Sequence, residues 1–119
     1  MQDLVFYNQY GKATCYLSNK DDETIYLFSG KAVAYLYNNS VYSFRGKHLG
    51  FYENGWIYDN NGYCIFYTAQ ATGGPVKPVR GITPVKGVAS VKPIKGARSI
   101  RPVGPVKKLQ WARSDYFFD

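Results

Sequence analysis

The sequence predicts an all-β fold: four β-hairpin repeats in a closed, pseudo-four-fold arrangement, with an extended C-terminal strap rich in Pro, Val and Lys packed on it. Three observations predict this. Glycines at positions 11, 30, 46 and 62 align four copies of one pattern, spaced 19, 16 and 16 residues apart. Aromatic residues make up 18% of the chain, and flat rings suit a pleated surface. From Pro75 to Leu109 every third residue is apolar, which matches neither a helix, with its period of about 3.6, nor a flat strand, with its period of about 2.

The hairpins come first in the chain. Tyr7, Tyr26, Tyr42 and Tyr58 stand four residues before the glycines, each preceded by an apolar residue (Phe6, Ile25, Val41, Ile57), and Tyr16, Tyr35, Phe51 and Tyr67 stand five residues after them. Tyr10-Gly11, Ser29-Gly30, Arg45-Gly46 and Asn61-Gly62 read as two-residue turns, because such loops need positive φ and glycine adopts it without steric cost. That register sets Thr14, Val33, Leu49 and Ile65 opposite the tyrosines. It gathers Ala13 with Cys15, Ala32 with Ala34, His48 with Gly50 and Cys64 with Phe66 on the other face. Six of these eight residues are small, so neighbouring hairpins can approach closely around a symmetry axis.

The links, residues 18–22, 38–40 and 53–55, are short, polar and rich in turn formers. A lone hairpin is marginal in water, so four similar ones must support one another, and a closed ring leaves no half-covered end. Closure makes the first and fourth copies neighbours and puts Cys15 and Cys64 on one face. Two buried thiols are the expectation and a disulfide the alternative.

The strap follows. Prolines at 75, 78, 84, 93, 102 and 105 exclude a continuous helix and disfavour a central strand. A polyproline II path has three residues per turn and sorts the segment into three ridges. One is aliphatic (Val76, Val79, Ile82 and so on to Leu109), one carries Lys or Arg, and one is mostly Pro, Gly and Ser. Extended at about 3.1 Å per residue the segment would reach roughly 100 Å, so it must wrap, with Gly81, Gly87, Gly96 and Gly104 as corners. The expectation is that the aliphatic ridge packs on the hairpins and the cations face solvent. A short left-handed β-helix has the same period, and a disordered tail is opposed by the regular Val and Ile. Trp111, Tyr116, Phe117 and Phe118 close the chain as a buried aromatic clasp.

Length and composition make residues 1–119 a single domain, hairpins over 1–72 and strap and clasp over 73–119. Residues 1–73 hold five Lys or Arg against six Asp or Glu, whereas residues 74–119 hold ten against two. Lys77, Arg80, Lys86, Lys92, Lys95, Arg98 and Arg101 are therefore candidate polyanion-binding residues, and nucleic acid is a candidate partner. No aromatic is interleaved with them before Trp111, so base readout has no support.

Gly55-Trp56 and the repeated tyrosines raise sugar or choline binding as a further alternative. His48 has no acid in its own copy to orient it and reads as structural. One His and two Cys in different copies make no metal-site spacing, and no phosphate loop, dinucleotide fingerprint or nucleophile elbow is present. No enzyme activity, cofactor or metal is expected. A stretch long enough to span a membrane and a secretory leader pattern are both missing, so the chain reads as cytoplasmic with no membrane partner.

The four Tyr-x-x-x-Gly hairpins, three of them followed by Lys, the segments Gly46-Lys47-His48-Leu49-Gly50 and Gly55-Trp56-Ile57-Tyr58-Asp59, and Gly73-Gly74-Pro75-Val76-Lys77-Pro78-Val79-Arg80 with its triplets together resemble the bacterial four-fold beta flower domain. The resemblance covers nearly the whole chain. It implies hairpin petals with pseudo-four-fold symmetry and brings no catalytic or binding residues, because the family has no established activity. Two departures are local: the first link is longer by three residues, and Tyr63 stands where the other copies have Lys. On this reading the protein is a small non-enzymatic structural or macromolecular-interaction module.

Overall fold

The computed structural model describes residues 3–118. Eight antiparallel strands run β1 Leu4–Tyr7, β2 Ala13–Leu17, β3 Thr24–Leu27, β4 Ala32–Tyr37, β5 Ser40–Tyr42, β6 His48–Glu53, β7 Trp56–Asp59 and β8 Cys64–Tyr67, each paired with the next, and β8 closes on β1. Consecutive pairs β1–β2, β3–β4, β5–β6 and β7–β8 are the four petals.

The petal tips differ from the two-residue turns expected. In each, the glycine amide donates to a carbonyl three residues back, Gly11 to Asn8 and Gly30 to Leu27 at 2.9 Å, and the glycine then takes positive φ, 78° and 101°. This is a three-residue loop with a bulge. The extra residue shifts the register, so Tyr7, Tyr26, Tyr42 and Tyr58 face Ala13, Ala32, His48 and Cys64. The two-residue turns lie instead in the links, where Asn38-Asn39 and Asn54-Gly55 all have positive φ.

The bulge also splits the pairs expected on one face. Cys15, Ala34 and Phe66 point into the barrel with Phe6, Ile25, Val41 and Ile57, whereas Ala13, Ala32 and Cys64 lie on the outer face with the tyrosines. Cys15 and Cys64 consequently belong to different faces and are both free and buried. Burial pushes both thiols up, Cys64 to about 11 with Asp59 adding to the effect.

On the outer face each petal's second aromatic meets the next petal's tyrosine. Tyr16 stacks on Tyr26, Tyr35 on Tyr42 and Tyr67 on Tyr7, with centroids 5.7, 5.9 and 5.5 Å apart, and Phe51 pairs with Tyr58 in the ladder. The aromatic set is therefore a closed ring around the barrel. At the seam, β1 and β8 share only the Tyr7–Tyr67 pair, which leaves Cys64 on an open edge. The chain's own tail fills it: the Cys64 amide donates to the Gln110 carbonyl at 2.9 Å and its carbonyl accepts from the Ala112 amide at 3.0 Å.

Candidate functional site

Residues 75–110 encircle the barrel as an extended belt, touching the four petal tips in order. The Gly11, Gly30, Gly46 and Gly62 carbonyls accept from the amides of Gly81, Ser90, Ser99 and Lys108 at 2.7, 2.8, 2.8 and 3.0 Å. The belt thus repeats every nine residues, three polyproline turns per petal. A Cβ on Gly30 or Gly46 would stand 2.0 or 1.9 Å from a belt carbonyl oxygen, so these tips need glycine both for φ and for contact. Ser90 and Ser99 add side-chain bonds, their hydroxyls accepting from the Ala32 and His48 amides at 3.1 Å. Gly87 and Gly96, expected as corners, are contact points whose amides donate to the Phe28 and Phe44 carbonyls at 2.7 and 2.6 Å. The nine-residue spacing of Pro84, Pro93 and Pro102 was the sequence signal for this register, hidden inside the stronger triplet.

The belt docks through the opposite face from the one expected. Its aliphatic ridge points to solvent: Val76, Val79, Ile82, Val85, Val88, Val91, Ile94, Ile100 and Val103 are each more than 90% exposed, and Val106 and Leu109 are 85% and 71% exposed. The cationic ridge faces the tyrosine ring instead. Electron-rich ring faces attract cations, and Lys and Arg stems cover apolar surface as well as Val does while keeping the charged head near water.

All seven cations predicted to bind a polyanion have partners within the chain. The Lys77 ammonium donates to the Ala71 carbonyl at 2.8 Å, and Arg80 lies over Tyr7 at 5.9 Å. Lys86 pairs with Asp3 at 2.6 Å over the Tyr16 ring, and Lys95 with Glu23 at 2.6 Å over Tyr35. Lys92 pairs with Asp21 at 3.2 Å. Arg98 covers Tyr37 at 3.7 Å, and Arg101 covers Phe51 while its Nε donates to the Ser40 hydroxyl at 2.8 Å. Burial raises the Asp3 and Asp21 carboxyls, but hydrogen bonds outweigh it and leave both below the usual carboxylate range, those to Asp3 led by Lys86 and those to Asp21 by the Thr24 hydroxyl.

His48 is buried in a polar chain that crosses copies. Arg101 donates to Ser40, the Ser40 hydroxyl lies 2.9 Å from His48 Nε2, and His48 Nδ1 lies 2.7 Å from Asn60 Oδ1, whose amide returns a bond to the His48 carbonyl at 2.9 Å. Asn60 Oδ1 can only accept, so Nδ1 carries the proton and the neutral ring satisfies every group. Burial lowers the imidazole, the Asn60 bond opposes this, and the Arg101 charge lowers it further. Ser40 and His48 are buried, and the chain meets solvent at its two ends, Asn60 and Arg101. Sequence reading missed Ser40 and Asn60 because they come from β5 and the fourth tip.

Trp56, the residue behind the sugar-binding alternative, is 1% exposed, donates to the Thr72 carbonyl at 3.0 Å and packs on Trp111 and Tyr67. Phe117 and Phe118 pack on Phe66 and cover part of one barrel mouth, while Tyr116 stays 76% exposed outside the clasp. Among the described residues no cluster of His, Cys, Asp and Glu is arranged to hold a metal ion, and no helix is long and apolar enough to cross a membrane.

No curated protein and no solved structure matches the chain. The model of one family, described as 4-fold beta flower protein, matches residues 5–117, from the first strand through the belt to the clasp. Petals, tyrosine ring and encircling belt all lie within that match, and the chain belongs to the 4-fold beta flower family.

Proposed function

We propose that the protein is a non-enzymatic interaction module whose contact surface is the aliphatic ridge of the belt, and that its partner is a second copy of the chain. The observation that carries this is the exposure of eleven aliphatic residues along one continuous ridge. At roughly 100 Å² of side chain each, inferred from transfer energies of about 25 cal/mol per Å², they present on the order of 1,000 Å². Because the belt encircles the barrel, about half of this faces any one side, at the upper end of the roughly 300–600 Å² patch of a typical monomer, and two such faces together give the roughly 1,000 Å² that a specific interface needs. A second copy also offers a ridge of identical step, so its side chains interdigitate at every turn. Against nucleic acid, a polyanion would have to displace the cations from rings and carboxylates they already hold.

The test is sedimentation velocity of the wild type and of a variant carrying Val85→Ser, Val88→Ser, Val91→Ser and Ile94→Ser. The expected result is concentration-dependent association of the wild type that the variant loses while its far-ultraviolet spectrum is unchanged. A wild type that stays monomeric at high micromolar concentration overturns the proposal. Salt-sensitive oligonucleotide binding by a monomer would favour the polyanion reading instead.

A further inference from the structure

The clasp covers only part of the barrel mouth. Phe117 and Phe118 pack on Phe66 of the fourth petal, and Phe117 also lies beside Gly50 of the third, its ring 3.2 Å from where a Cβ would stand. Over the first and second petals the same mouth is a groove of about 440 Å³. Leu27, Phe28, Val33 and Phe118 give it apolar walls, and Lys12 and Lys31 line its rim. Both lysines are exposed, and neither makes an ion pair among the described residues, unlike Lys86, Lys92, Lys95 and Lys107 of the belt. Asp115 in the wall is neutralised by Arg113 at 2.6 Å.

Ser114, Asp115 and Phe118 of the clasp line this groove themselves, so an aromatic face of the clasp borders the open space, while Phe117 and Phe118 reach Phe66 of the fourth petal. We infer that the open groove between petals one and two binds an acidic, aromatic peptide segment of a partner protein. Its rings would lie on Phe28, Val33 and Phe118 and its carboxylates between the ammonium groups of Lys12 and Lys31. The volume lies within the roughly 300–1,000 Å³ of ordinary ligand sites, and two exposed lysines at the rim of an apolar floor select against basic segments. The site is separate from the aliphatic ridge and does not rest on self-association.

The test uses the full chain and the fluorescein-labelled peptide Ser-Asp-Tyr-Phe-Phe-Asp, read by anisotropy. Binding in the tens of micromolar is expected, weakened about tenfold or more, that is by about 1.4 kcal/mol, in Lys12→Glu/Lys31→Glu and by less in Lys12→Gln/Lys31→Gln. It should be retained in the belt variant with four serines and absent for the peptide with Lys in place of both Asp. Thermal melts of both lysine variants check that they fold. Three results would each overturn the inference: no binding to folded wild type, equal binding by the charge-reversed protein, or equal binding of the basic peptide. Equal binding by the charge-reversed protein would mean displacement of the native clasp. Self-association lost in Lys12→Glu/Lys31→Glu without peptide would assign the groove to a second copy's tail and overturn the assignment to a separate partner.

Discussion

The barrel and the belt both carry a regular apolar pattern, and they use it in opposite ways. In the barrel Phe6, Ile25, Val41 and Ile57 are fully buried, while in the belt Val85, Val88, Val91 and Ile94 are 94–96% exposed. Periodicity reports the pitch of a backbone and does not say which ridge faces the protein. The surface opposite decides that. An outer barrel face built of stacked tyrosines offers electron-rich rings and nearby carboxylates, and Lys and Arg satisfy both where Val satisfies neither.

The largest test of this contrast is Phe66→Ala, which removes a ring touching both clasp phenylalanines inside the barrel. It should cost about 4 kcal/mol in urea unfolding. Next is Gly46→Ala, where φ of +97° and a belt oxygen 1.9 Å from the new Cβ act together. A loss of about 3 kcal/mol is expected, with faster hydrogen exchange at Ser99; an unchanged Ser99 rate would mean that the belt does not depend on the tip.

His48 provides a test by pH. Its folded value is lowered, so the unfolded chain binds the proton more readily. Its contribution is full above the ordinary imidazole value of about 6.5 and declines as pH falls through the folded value. Asp3 and Asp21, also lowered, extend the decline into the carboxylate range. Unfolding curves between neutral and mildly acidic pH should show the first step in the wild type and lose it in His48→Gln. Lys95→Gln, which removes a ring contact and an exposed ion pair, should cost about 1 kcal/mol. Ile94→Ala should change stability by less than about 0.5 kcal/mol, and a loss of several times that would mean that the ridge is covered within the monomer.

The petals were legible in the sequence because glycine, tyrosine and apolar positions recur at fixed offsets, and each has a local physical reason. Ring closure followed from the instability of a lone hairpin. The bulge was not legible, since a two-residue and a three-residue loop both place glycine at the tip and differ only in which residue is left unpaired. The belt's direction was hidden for a related reason. Three ridges were visible, but choosing between Val and Lys required knowing that Tyr7, Tyr16, Tyr35 and Tyr58 point outward. Ser40 and Asn60 acquire their roles only when three distant segments meet at His48.

The nine-residue spacing of the belt behaves like a reading frame. Links between petals tolerate length change, as the first shows, because an extra residue there only enlarges a loop. One residue inserted into the belt would turn everything after it by a third of a turn, presenting aliphatics to the tyrosines and cations to the tip carbonyls. Three inserted residues would restore the ridges yet miss the next glycine, and only nine would restore both. Evolution of this chain can therefore edit the petals singly, but can lengthen the belt only in whole petal units.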